Sequence, residues 1–414
     1  MKIEYSYLQQ QFALGKENKM RVSYVELPKG ANADEILAAL REHLKVCNFT
    51  LGPEVSQFEK KFAQVCQAKY AIGVNSGTDA LILSLKSLGI GHGDEVITAP
   101  NSFIATAGAI VMAGARPVFV DVSDDYNINP DLIEQAITSK TKAIIPVHLT
   151  GNPANMPNIM GIAQKAKINV IEDACQAIGA SINSQPIGSF GVTAAFSLHP
   201  LKNLNVWGDG GVITTNSEEL EQKLRLMRNH GLRNRDEVDL FAYNSRLDTV
   251  QAIVALKLMP FLDIITETRI KHARFYDEAL KDLADFITIP PRKPKGRQVF
   301  HTYVIQVKDR DKLLQYLNEN GVEAKIHYPI PIHLQKAAQY LGYKEGDFPV
   351  CEAQVRSIIT LPVHQHLSQN QLEYVVGTIK KFYATVAPRS KTRVTQLNLS
   401  CQRLAKEQNR GAYV

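Results

Sequence analysis

The sequence predicts an α/β fold: a mostly parallel seven-stranded sheet with helices on both faces, followed by a smaller C-terminal α+β domain. Three observations carry this expectation. From about Ala71 to Thr215, short β-rich runs alternate with longer amphipathic stretches. The runs are nearly continuously apolar, as strands covered on both faces must be. The chain of 414 residues is also long enough for two or three domains.

In order, the seven runs lie at 71–74, 95–98, 117–121, 143–147, 169–172, 194–197 and 211–215. Helical patterns over 79–88, 104–113, 130–137 and 157–167 separate most of them. No helix-length crossover joins the last two runs, so the final strand is expected to run antiparallel. A long helical stretch from about Asp248 to Thr268 leads away from the sheet. Beyond it lie strand-like pieces at 302–307, 324–326 and 358–361. The expected organisation is an N-terminal extension (1–19), a large domain with an N-terminal arm (20–262), a small domain (263–387) and a flexible basic tail (388–414).

Composition narrows the function. Hydrophobic residues make up 45% and charged residues 21% of the chain, ordinary for a globular protein. No apolar run approaches the roughly 18 residues of a membrane span, and the start Met1-Lys2-Ile3-Glu4-Tyr5 lacks the pattern of an export signal. Cys47, Cys66, Cys175, Cys351 and Cys401 are scattered without a Cys-x-x-Cys pair. That argues against a zinc site or disulfide framework and suits a reducing cytoplasm. The net charge of +6 is mostly local: Arg389, Lys391, Arg393, Arg403, Lys406 and Arg410 face only Glu407 in the tail. The body is close to neutral, so neither nucleic acid nor a membrane is an expected partner.

Chemistry concentrates at successive strand ends. Lys202 sits in Ser197-Leu198-His199-Pro200-Leu201-Lys202-Asn203-Leu204, on a tight connection between the last two strands. A free lysine with a pKa of about 10.4 is protonated at neutral pH, so amine chemistry needs it buried or joined to an aldehyde cofactor. Asn75-Ser76-Gly77-Thr78-Asp79-Ala80 follows a strand and opens a helix. Such a turn can cradle an anion, or can simply be a capped βα turn. Asp173 ends a buried strand in Ile171-Glu172-Asp173-Ala174-Cys175-Gln176, where it can keep a heterocyclic nitrogen protonated or cap a helix. Phe103, after Asn101-Ser102, can stack on a planar ligand or belong to the core. Asn244 and Arg246, in Tyr243-Asn244-Ser245-Arg246-Leu247-Asp248, can reach an anion or lie in solvent. An anion cradle, an aromatic plate, a pyridine-nitrogen partner and a lysine, in that order, describe pyridoxal phosphate better than any other cofactor.

With these motifs in order, the sequence resembles the DegT/DnrJ/EryC1/StrS sugar aminotransferases from about Met20 to about Ala387. Leu51-Gly52-Pro53-Glu54-Val55 and Gly208-Asp209-Gly210-Gly211 belong to the same match. The resemblance implies a fold-type-I pyridoxal 5'-phosphate enzyme, homodimeric, with sites built from both subunits. It makes Lys202 the internal aldimine lysine, Asp173 the partner of the pyridine nitrogen, Phe103 the stacking ring and Gln176 the partner of the ring's 3-oxygen. Gly77, Thr78 and Ser197 would hold the phosphate from one subunit and Asn244 from the other, with Arg246 close by. His327 and Tyr328 match the substrate-side segment, with His333 as a second candidate there, while Trp207 could shape the sugar site or simply pack. The implied reaction is ping-pong transfer of an amino group from L-glutamate to a keto-deoxy sugar, nucleotide-linked. A sugar dehydratase on the same scaffold would carry histidine at the Lys202 position. A non-catalytic regulatory homologue would have lost the lysine or the aspartate.

Overall fold

The computed structural model describes residues 20–26 and 33–386. The expected extension 1–19 and tail 388–414 lie outside the described residues. The large sheet is built from β1 (Tyr70–Val74), β2 (Glu95–Thr98), β3 (Arg116–Phe119), β4 (Thr141–Ile144) and β5 (Asn169–Asp173). A small hairpin, β6 (Ser181–Ile182) and β7 (Gln185–Pro186), precedes its last two strands, β8 (Thr193–Ser197) and β9 (Gly211–Thr215). The strand order is β1-β9-β8-β5-β4-β2-β3. Each expected run supplies one strand, and β9 alone runs antiparallel, to both β1 and β8. Every other pairing in the sheet is parallel.

Helices cover both faces, as the apolar strands require. On one face Phe58, Phe62, Ile144, Phe196 and Val254 pack together; on the other are Ile72, Leu81, Leu83, Val96 and Ile213. Local signals place the helix ends. Ser76 caps the helix Gly77–Ser87 by accepting a hydrogen bond from the Asp79 N–H at 3.0 Å. The helix expected over 130–137 is shorter, one 3-10 turn (Pro130–Leu132) and one α turn (Ile133–Ala136). The long stretch after Asp248 is two helices, Thr249–Leu258 and Leu262–Leu280, with a 3-10 turn at Met259–Phe261 between them. Pro260 there lacks the N–H that a continuous helix needs.

The C-terminal region forms a second core around Tyr276, Tyr303, Ile305, Leu313, Ile359 and Ile379. Its strands are β10 (Ile287–Thr288), β11 (Gly296–Arg297), β12 (Tyr303–Val307) and β13 (Ile358–Leu361). The order β10-β12-β13 is antiparallel, while β11 joins the β6–β7 hairpin instead. The strand expected at 324–326 does not form: Lys325 makes only a single bridge to Thr360. The chain from 332 to 355 turns back onto the large sheet. Ile332, Leu341, Phe348 and Cys351 enter its core, and Asp121 accepts the N–H groups of Val350 and Cys351 at 2.9 Å each.

One composition-based expectation is corrected. The stretch Thr249–Leu283 is apolar enough, with mean hydropathy 1.5 over 18 residues, to match a membrane span by length and composition. Here Ala252, Ile253, Val254 and Ala255 are buried in the core shared with the helix Pro53–Cys66. The apolar residues on that face belong to the core of the large sheet.

Candidate active site

All strands except β9 point the same way, so their carboxyl ends share one edge, where sites form in such sheets. There a cavity of ≈ 410 Å³ opens between the large sheet and the C-terminal region. Ser76, Gly77 and Thr78 reach it from the end of β1, Phe103 from β2, Asp173 and Gln176 from β5, and Ser197 and Lys202 from β8. His327 and Tyr328 close the far side. Residues far apart in sequence therefore meet because the topology aligns the strand ends.

Lys202 is held by a turn in which its backbone N–H donates to the His199 carbonyl at 2.8 Å. Burial lowers its pKa below that of an ordinary lysine, against the opposing pull of Cys175 and Asp173. Asp173 is buried, and its carboxylate is fixed from two sides. The Thr106 hydroxyl donates to Oδ2 at 2.7 Å and the Cys175 N–H to Oδ1 at 3.2 Å. Ser102 lies 2.8 Å behind Thr106, extending the chain of hydroxyls. Burial, then the charge of Asp173, keeps the Cys175 thiol protonated, so it does not compete as a nucleophile.

The turn at the start of the helix Gly77–Ser87 is closed from both sides. A Cβ on Gly77 would stand 2.8 Å from Cys175 Sγ and 2.8 Å from Ser197 Cβ. A Cβ on Gly211 would stand 2.3 Å from the Ser76 carbonyl. Only glycine permits this approach, which leaves helix N–H groups beside the Thr78 and Ser197 hydroxyls as an anion cradle. Gly77→Ala is expected to weaken pyridoxal phosphate binding at least roughly tenfold, about 1.4 kcal/mol, measured by absorbance titration of the apoenzyme. Unchanged affinity would remove the cradle from the site.

The opposite wall is aromatic. The Phe103 and Tyr328 rings are 5.7 Å apart, tilted by 42°. Gln176 Oε1 accepts the Thr150 N–H at 2.8 Å, and its side chain also interacts with the Tyr328 phenol. His327 Nδ1 lies 3.0 Å from Thr360 Oγ1, and its ring stacks on Tyr24 at 5.3 Å. Burial, then Lys202, lowers the His327 pKa to about 4, so its imidazole is neutral near pH 7.

Other expected residues lie elsewhere in this chain. Asn244 and Arg246 do not line the cavity; Arg246 Nη1 donates to Asn229 Oδ1 at 3.0 Å. His333 is corrected as a substrate candidate: it is buried against Phe348, with Nε2 3.1 Å from Glu352 Oε1. Trp207 is half exposed and outside the cavity, its backbone paired with the Gln251 amide. The sequence reading missed Tyr24, Thr106 and His301. Thr106 alone had a legible signal, since it follows Phe103 in the first turn of a helix at a strand end.

A model of the DegT/DnrJ/EryC1/StrS aminotransferase family matches residues 31–380. The chain belongs to this family. Within it, a pleiotropic regulatory protein from Geobacillus stearothermophilus is 43% identical over 84% of this chain and 94% of that protein. The UDP-N-acetyl-3-dehydro-α-D-glucosamine 3-aminotransferase of Acidithiobacillus ferrooxidans is 42% identical over the same shares. Among solved structures, S. venezuelae DesV in complex with a ketimine intermediate superposes with TM-score 0.85 at 38% identity, over 87% of this chain and 98% of that one. The fold is that of the family's pyridoxal-phosphate aminotransferases.

Pyridoxal phosphate is the family's cofactor, and the residues present fit it. The Gly77–Thr78 turn, packed closely against Ser197 at the cavity wall, suits the phosphate. The buried Asp173 carboxylate suits a protonated ring nitrogen, and the proton-shedding amine of Lys202 suits the aldehyde.

Proposed function

We propose that this aminotransferase moves an amino group from L-glutamate to a nucleotide-linked 3-keto sugar, as a homodimer in the cytoplasm. The observation that carries the reading is the pairing of a depressed-pKa lysine with a fixed carboxylate in one cavity. The Acidithiobacillus relative supports the acceptor class by its name. The dimer accounts for Asn244 and Arg246, which lie outside this chain's own cavity and would serve that of a second copy. Cys47, Cys66, Cys175 and Cys351 are free thiols, in keeping with a reducing compartment.

When bound, pyridoxal phosphate supplies an electron sink for the negative charge left by proton removal. Gly77, Thr78 and Ser197 would hold its phosphate, Phe103 would stack on its ring and Gln176 would meet its 3-oxygen. Asp173 would keep the ring nitrogen protonated, and the Thr106 and Cys175 hydrogen bonds hold that carboxylate in place. Lys202 would accept the substrate's proton at Nζ and give it back, base first and then acid. Burial lets it do so without a separate base.

The lowered pKa has a testable sign. Protonated Lys202 cannot attack an aldehyde, and burial disfavours the protonated form. The rate of cofactor uptake by the apoenzyme should therefore rise with pH through a midpoint below the ordinary lysine value of 10.5. A midpoint at or above that value would show the amine to be unperturbed.

The deciding experiment for the reaction is incubation of the holoenzyme with L-glutamate. Stoichiometric release of 2-oxoglutarate with a change in the visible spectrum is expected, and parallel double-reciprocal lines with a keto sugar. The Geobacillus relative favours a second reading, regulation without turnover. Absence of any oxoacid would select it.

A further inference from the structure

His301 lies in the cavity wall without a part in the chemistry above. It follows Phe300, whose backbone is left-handed at φ 46, a conformation disfavoured in a residue with a large side chain. Arg269 holds this turn. Its Nη1 donates to the carbonyls of Phe300 at 3.2 Å and His301 at 3.3 Å, and its Nε donates to Gln365 Oε1 at 3.1 Å. Arg269 is itself buried, and burial lowers its pKa to about 10. A strained turn and a buried cation thus combine to orient one imidazole.

That imidazole has an unmet need. Its Nδ1 is buried and has no hydrogen-bond partner among the described residues. Because Nδ1 is closed off within the protein, a hydrogen bond from this cavity-lining ring to an occupant of the cavity falls to its other nitrogen, Nε2. Burial, then Lys202, holds the His301 pKa well below the ordinary value, with Arg269, His327 and His199 adding to the effect. The ring is therefore neutral. A carboxylate donor would call for a cation, whereas a neutral imidazole matches an uncharged oxygen.

We propose that His301 is a substrate-contacting residue that hydrogen-bonds an uncharged oxygen of the acceptor sugar, a hydroxyl or keto group close to the reacting carbon. The proposal rests on the aminotransferase reading. The partner is a hydroxylated ring of the acceptor, and the interaction is absent in the glutamate half-reaction.

The test uses holoenzyme carrying His301→Leu or His301→Gln and follows the two half-reactions separately. The donor is L-glutamate, and the acceptor is the member of a panel of nucleotide-linked 3-keto sugars that the unaltered enzyme uses fastest. His301→Leu should lower kcat/KM for the sugar roughly 10- to 100-fold. Its glutamate half-reaction and cofactor affinity should stay within about twofold, the range of a change that removes no contact there. His301→Gln, which keeps a hydrogen-bonding group, should recover much of the loss. Unchanged sugar kinetics in His301→Leu, equal losses in both half-reactions, or weakened cofactor binding would each overturn the proposal. Failure of the unaltered enzyme to release 2-oxoglutarate would instead overturn the aminotransferase reading, and is distinguished before any variant is made.

Discussion

Lys202→Ala is expected to give a folded protein without multiple turnover, kcat falling by roughly 10⁴-fold or more, the scale seen when a residue at the centre of a catalytic set is removed. No nearby group can substitute. His199 and His301 both have pKa values lowered by burial, with Lys202 the next cause, and the Cys175 thiol is held protonated. None offers a primary amine to an aldehyde. The fold should survive, because the turn around residue 202 is made by its backbone N–H and the His199 carbonyl. Removing an amine that burial penalises should leave the melting temperature unchanged or higher. The readouts are steady-state turnover, the visible spectrum of the cofactor-loaded protein and thermal unfolding. Sustained turnover in Lys202→Ala would overturn the assignment of Lys202.

Asp173→Asn should separate chemistry from binding. Asparagine has nearly the same shape, and its carbonyl oxygen can still accept the Thr106 hydroxyl that now bonds Oδ2. What disappears is the negative charge that favours a protonated ring nitrogen, together with the acceptor for the Cys175 N–H that now bonds Oδ1. We expect kcat to fall about 10²- to 10³-fold, the range for losing one preorganised electrostatic partner. Cofactor affinity should change by less than about tenfold, because the Gly77 cradle and Lys202 are untouched. Single-turnover kinetics and a cofactor titration measure the two effects. Equal losses in both would give Asp173 a structural role.

The large sheet was legible because its strands are continuous apolar runs and its helices carry long periodic patterns. Even the direction of β9 was visible, in the absence of a crossover between Ser197 and Gly211. Lys202, Asp173 and Gly77 were legible because each belongs to one strand and its following turn. What failed was whatever depends on distant partners. Lys325 looks like part of a strand, yet it finds only Thr360, at the free edge of β13, as a bridging partner among the described residues. His333 stands in a promising segment, but Glu352 and Phe348 draw it into packing. Tyr24 and His301 come to Lys202 only through tertiary packing, and no spacing in the chain announces them. Asn244 and Arg246 are expected at a second copy's site, so their place outside this chain's own cavity does not count against them.

The pairing of β1 with β9 bears on how the protein matures. Val74 sits opposite Gly211, and Gly211 presses on the Ser76–Gly77 turn, although the intervening chain contains most of the large sheet. Contacts so remote in sequence close slowly, after local helices and nearer strands have formed. The anion cradle is therefore complete only when β9 lies between β1 and β8. A nascent chain released before that insertion would hold secondary structure but no competent cofactor site. Binding of pyridoxal phosphate is therefore expected to report that β9 has taken its place between β1 and β8.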